Sequence, residues 1–198
     1  MKSLEQDNKD LYFMMESQSP SNGFKALLYS INDDPYRSWC SGKSLIPKPQ
    51  SPIQLSAKMR PGSILVDYWK VPVPIISKKI QKVINDLNIQ NIEYFQVEIL
   101  NSLTHEKNCD YVAFNLLNNE CALDLNKSKY KSYKHLGFGV EGSDFSSIVF
   151  KSNFKPASLI FRLQEVSNAI VVHESLKNSL EKSGDSSLTF IEPKNWCG

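Results

Sequence analysis

Apolar residues recur along residues 75–97 in two successive rhythms. Ile80, Val83, Ile84 and Leu87 fall at i, i+3, i+4 and i+7, the stripe of an amphipathic helix. Ile92, Tyr94 and then Gln96 or Val97 follow in a roughly alternating, β-branched and aromatic pattern that predicts a strand. Ser77 stands where its hydroxyl can accept a free N–H of the first turn. Asn88, directly after the stripe, tolerates the left-handed conformation that ends many helices. The same order returns 96 positions further on, without a gap, at residues 171–193. Leu176 and Leu180 take the places of Ile80 and Ile84, Gly184 that of Asn88, and Leu188 and Phe190 those of Ile92 and Tyr94. Stop signals agree in position although the residues differ. The expectation is an α+β fold, a single mixed domain with two pseudo-repeated helix–strand units at about 75–97 and 171–193. Two copies are too few for a solenoid, which needs about three. Lys78 and Lys79 run against the pattern, because the first turn of a helix favours negative charge; Glu174 in the second copy obeys it.

Around these units the pattern is less regular. Residues 11–16 read as a first strand and 17–23, SQSPSNG, as a turn. Residues 24–31 are apolar and fit strand or helix. Residues 33–42 read as a loop anchored by Tyr36 and Trp39. Prolines at 47, 49 and 52 forbid a central strand or helix interior there, so 46–52 reads as a linker or surface crossing. GSILVDYW, from Gly62, is a short β-branched run, and VPVP at 71–74 is extended because each proline restricts its predecessor. Residues 110–117, 147–150 and 158–163 read as strands, 118–119 as a turn and 122–125 as a short apolar element. The stretch 127–134, KSKYKSYK, reads as polar and basic, and 137–142, GFGVEG, as a glycine-rich loop.

Composition narrows the class. A chain of 198 residues suits one domain, and a single domain over 1–198 is expected. It is long enough to bury a core without staples. With 41% hydrophobic and 22% charged residues it is neither disordered nor membrane-embedded. A net charge of +2 is too small to point to nucleic acid. No apolar run reaches about 18 residues, so no transmembrane helix is expected. MKSLEQDNKD lacks the apolar core of a secretion signal, and the expected location is the cytoplasm. Four scattered cysteines, Cys40, Cys109, Cys121 and Cys197, form no CxxC pair and are expected to be free, structural thiols.

Candidate chemistry is sparse. His105-Glu106 opens like a zinc HExxH helix, but Cys109 stands where the second histidine belongs and no set of three or four ligands completes it. Cys109 or Cys121 with His105 or His135 would serve as a thiol–imidazole pair only within hydrogen-bond reach. Gly137, Gly139 and Gly142 imitate GxGxxG, yet a strand rather than a helix is expected after them, which opposes a dinucleotide site. Asp33-Asp34 adjoins a proline and reads as a turn former. Lys127, Lys129, Lys131 and Lys134 interleave with Tyr130 and Tyr133, a combination that can hold single-stranded nucleic acid or, through the tyrosines, a protein. A solvated stretch with tyrosines packed inward is the simpler account. No catalytic, cofactor-binding or metal residue is therefore assigned.

Three stretches, IISKKIQKVINDLNIQNIEYFQVEI, YVAFNLLNNECALDLNKSKY and LIFRLQEVSNAIVVHESLKNSLEKS, with LVDYW ahead of the first, resemble the eleventh family of bacterial polymorphic-toxin immunity proteins. The resemblance covers roughly residues 62–193, and the first sixty match less well. Its motifs form fold rather than a catalytic site. It implies a protein without cofactor or catalytic residues that binds a secreted or contact-delivered toxin in the cytoplasm and covers its active site. The implied partner is a cognate toxin domain, with nucleases among the toxin classes. The alternative is a nucleic-acid-binding module using residues 127–134.

Overall fold

In a computed structural model of the chain, the described residues are 11–31, 39–134, 141–184 and 187–198, with the backbone alone at 133–134 and 141–143. Strands β1 (Tyr12–Ser17), β2 (Phe24–Lys25), β3 (Leu27–Ser30), β4 (Ile53–Lys58), β5 (Ser63–Ile64), β6 (Tyr68–Trp69) and β7 (Ile75–Ser77) precede helix α1 (Lys78–Asp86). Then come β8 (Ile92–Asn101), β9 (Lys107–Leu116), β10 (Asn119–Glu120), β11 (Lys129–Lys134), β12 (Glu141–Ser147), β13 (Ile160–Leu163) and β14 (Ile170–His173). Helix α2 (Glu174–Lys182), β15 (Leu188–Ile191) and a 3-10 turn (Pro193–Asn195) end the chain.

The larger sheet has six strands in the order β3-β4-β8-β9-β7-β6, and the second has five in the order β10-β13-β14-β1-β15. Two-stranded pairs β11–β12 and β2–β5 complete the described set. With two nine-residue helices against fifteen strands in several sheets, the described chain is mostly sheet. This overturns the expected α+β fold with two pseudo-repeated helix–strand units at about 75–97 and 171–193. The two segments are built into different sheets with different neighbours. The strand after α1 runs ten residues and pairs with β9 and, in parallel, with β4. The strand after α2 runs four residues and forms the outer edge of its sheet. Much of the unforeseen strand comes from stretches without a local period. Residues 129–134 become β11 by pairing antiparallel with β12, a long-range ladder that no short window reveals. Of the expected turn at 118–119, Asn119 instead begins β10, which pairs parallel with β13.

Alternation along the strands sorts side chains into three apolar clusters. In β9, Tyr111 and Ala113 face one way, Val112, Phe114 and Leu116 the other, and all five are buried, so that sheet is covered on both faces here. Ile76, Val112 and Phe114 of the larger sheet and Met15, Ile160, Ile170 and Val172 of the smaller share one cluster with Ile80, Ile84, Leu176 and Leu180 of the helices. The helices touch each other there. Trp39, Leu55, Trp69, Ile75 and Ala113 form the cluster on the far face of the larger sheet. Met14, Phe161 and Val171 meet Phe145, Phe150, Phe154 and Trp196 on the far face of the smaller.

Helix ends follow their local chemistry. The Ser77 hydroxyl accepts the Ile80 N–H at 3.3 Å, and His173 caps α2 by accepting the Ser175 N–H at Nδ1, 3.1 Å away. Asn88 (φ 53°) and Gly184 (φ 78°) both adopt the left-handed conformation that turns the chain out of its helix. Lys79, out of place for the helix dipole, pairs with Asp67 at 3.7 Å, while Lys78 lies exposed.

Candidate functional site

The residues singled out for chemistry are dispersed. His105 and Glu106 lie in the tight turn between β8 and β9, with His105 at φ 58° and its N–H bonded to the Asn101 carbonyl at 2.9 Å. A HExxH site needs one helical turn between its ligands, and this is a hairpin. Among the described residues no three His, Cys, Asp or Glu side chains gather at metal-binding spacing. Cys121 has the Lys151 ammonium, not an imidazole, against its sulfur at 3.2 Å. All four thiols are free, but only Cys40 is buried; Cys109, Cys121 and Cys197 are exposed, which corrects the expectation of structural, packed cysteines. His135, Asp33, Asp34, Tyr36, Gly137 and Gly139 lie outside the described residues, while Gly142 falls in β12. Trp39 is an anchor as expected, fully buried and edge-on to Phe95 with ring centroids 5.5 Å apart.

Most of the polar, basic Lys/Tyr stretch is strand: Lys129–Lys134 form β11. Lys127 pairs with Asp124 at 3.1 Å and holds that carboxyl below its ordinary pKa range. Lys131 stands opposite Asp144 in the ladder. Tyr130 stacks on Phe145 with centroids 5.0 Å apart, so one face of its ring is occupied. Acidic partners beside Lys127 and Lys131 and a ring already stacked both oppose a strip for a phosphate backbone.

Loop 43–48 is fastened to the larger sheet by one carboxylate. Glu93 of β8 accepts the Ser44 hydroxyl at 2.6 Å, the Leu45 N–H at 3.4 Å and the Asn115 amide at 3.2 Å, with Lys48 at 3.9 Å. Burial works against its charge, yet these donors and Lys48 prevail and hold the carboxyl below its ordinary pKa. Asn115, buried inside β9, also donates to the Lys43 carbonyl at 2.8 Å. Further on, a pocket of about 290 Å³ opens beside Tyr12, Phe13, Phe150 and Pro193, with the Glu192–Lys194 ion pair among its walls.

One more surface stands out by its alternation. Along β3 and its continuation, Leu28 points into the core while Leu27, Tyr29 and Ile31 point to solvent with 58%, 48% and 51% exposure. A solvent-facing row on an antiparallel strand is normally polar. In the sequence, residues 24–31 read only as apolar and fit strand or helix, so neither the strand nor its solvent-facing row is revealed there.

Over residues 12–195 the chain matches the model of an immunity protein family. It is a toxin-immunity protein by class. Within that class it belongs to the Imm11 family, and the match reaches well into the first sixty residues, where the resemblance was weaker. Membership implies a cognate toxin as partner. No curated protein matches the chain. Among the described residues no helix is long and apolar enough to cross a membrane.

Proposed function

We propose that this chain protects its cell by binding a cognate secreted or contact-delivered toxin in the cytoplasm and covering the toxin's active site, without catalysis of its own. The observation that carries this reading is the immunity-family match across residues 12–195. Working as a single domain over 1–198 is part of the proposal, and the apolar cluster shared by both sheets and both helices supports it. The block is steric, through an interface of ordinary size, about 1,600 Å² in total. A nuclease would present a basic site and call for an acidic cover. The exposed row on β3 is apolar, which does not favour that toxin class.

Co-expression with the toxin encoded in the adjacent reading frame tests the proposal. Growth is restored by this chain, and the two proteins are recovered together from the lysate. Cells that die despite abundant, folded chain, with no complex recovered, would overturn it.

A further inference from the structure

Immunity by binding needs a surface, and one end of the larger sheet carries positive charge that the rest of the fold does not answer. Residues 24–31 and 53–65 contain Lys25, Lys58 and Arg60 and no Asp or Glu. Carboxylates on adjoining segments are already engaged: Glu16 with Lys70, Asp67 with Lys79 and Glu98 with Lys107. Lys25 is half-buried and donates to the Ser17 hydroxyl at 3.0 Å. Lys58 and Arg60 are exposed, and neither has a carboxylate at ion-pair distance among the described residues.

Each of these two cations flanks an exposed apolar side chain. The Arg60 guanidinium lies 5.0 Å from the centroid of the Phe24 ring, which is 54% exposed. Backbone bonds hold the arrangement in place. The Phe24 N–H donates to the Gly62 carbonyl at 2.9 Å, and the Ser63 N–H closes the turn onto the Arg60 carbonyl at 2.9 Å. Across the β3–β4 ladder Lys58 stands opposite Leu27, which is also exposed. Arginine and aromatic side chains are enriched in contact surfaces, and grouped apolar side chains in solvent mark them. A partner that covers Phe24 and Leu27 also takes water from Arg60 and Lys58, and a desolvated charge without a counter-charge is costly. Its complement is therefore a surface with carboxylates around an apolar centre. A second copy of this chain docked through the same patch would set like charges against each other, as would a basic nuclease site.

We infer that Lys58, Arg60, Phe24 and Leu27 dock an acidic patch of the toxin domain, its carboxylates meeting the two cations and its apolar centre the two exposed side chains. This rests on the toxin-binding reading above.

The test uses the purified toxin domain from the adjacent reading frame and three forms of the full chain: wild type, the double variant Lys58→Glu, Arg60→Glu, and the control Lys78→Glu, Lys82→Glu. The control changes net charge equally, at two exposed lysines of α1. Affinity of the first variant should fall about 30-fold or more with its circular dichroism unchanged, while the control binds like wild type. Added salt should weaken wild-type binding more steeply than that of the first variant. In the wild-type complex, amide exchange at residues 24–31 and 58–63 should slow, a readout that stands even where the variant folds poorly. Wild-type affinity in the folded first variant, an equal loss in the control, or unchanged exchange in a formed complex overturns this surface and leaves toxin binding standing. No complex with the wild type removes both. Single-stranded DNA that binds the wild type at physiological salt and not the first variant assigns the patch to nucleic acid, and also overturns the inference.

Discussion

The indole N–H of Trp196 donates to the Glu16 carboxylate at 2.8 Å, joining the end of the chain to its first strand across 180 positions. Lys70 pairs with the same carboxylate oxygen, and its ammonium lies 5.9 Å from the Trp196 ring. Trp196 is buried with Phe145, Phe150 and Phe161 on the far face of the smaller sheet. Trp196→Phe keeps most of that packing and leaves Glu16 its lysine, so it should cost about 1 kcal/mol. Trp196→Ala empties the site and should cost about 3–5 kcal/mol. Urea unfolding of the three proteins separates the two contributions. Equal losses would show that the hydrogen bond, not the packing, holds the C-terminus.

Glu93 makes stability depend on acid. Its folded-state pKa lies below the ordinary carboxylate value, because the donors on loop 43–48 and Asn115, together with Lys48, outweigh burial. The stabilisation is therefore fully present above the unfolded pKa and is lost as pH falls through the lower, folded one. Glu93→Gln should cost about 1 kcal/mol at pH 7, and the gap from wild type should close as pH drops below the usual carboxylate range. A gap that persists unchanged in acid would contradict the assignment of Glu93 as the charged fastener.

Tyr94 behaves in the opposite sense. Burial pushes its phenol up to about 12, and its hydroxyl has no hydrogen-bond partner among the described residues. The unfolded chain releases this proton near the ordinary value of about 10, so the folded state loses stability as pH rises through the interval between the two. Tyr94→Phe removes the unpaired hydroxyl and should be neutral or stabilising at pH 7. It should also remove one late-titrating phenol from the ultraviolet absorbance titration. A clear loss of stability in Tyr94→Phe would mean that the hydroxyl has a partner, such as a buried water.

Local chemistry was legible and long-range pairing was not. Ser77, Asn88 and Gly184 act through their own backbone neighbours, and each sits in the structure as its residue type predicts. The stripe Ile80, Ile84 and its counterpart Leu176, Leu180 identified the buried faces of both helices. The balance of helix and strand was missed because it is set by partners distant in sequence. Lysines and tyrosines at 127–134 show no inward-facing row, and only the β12 ladder makes them a strand. Lys79 looked anomalous on its own helix until Asp67, outside that helix, was seen beside it. Ile53, Leu55 and Ala57 alternate cleanly in β4, but the prolines just ahead of them dominated that stretch. For the candidate site, the apolar row at 27–31 was visible as composition, while its exposure depends on where the smaller sheet and the helices stop covering the larger sheet.

Membership of an immunity family makes a stoichiometric complex with the toxin the central expectation. The direct measurement is titration of the purified toxin domain's activity with increasing amounts of this chain. The account predicts a linear fall to zero near one equivalent and a single co-eluting complex on size exclusion. Toxin activity that persists at a large excess of folded chain, with the two proteins eluting apart, would contradict it.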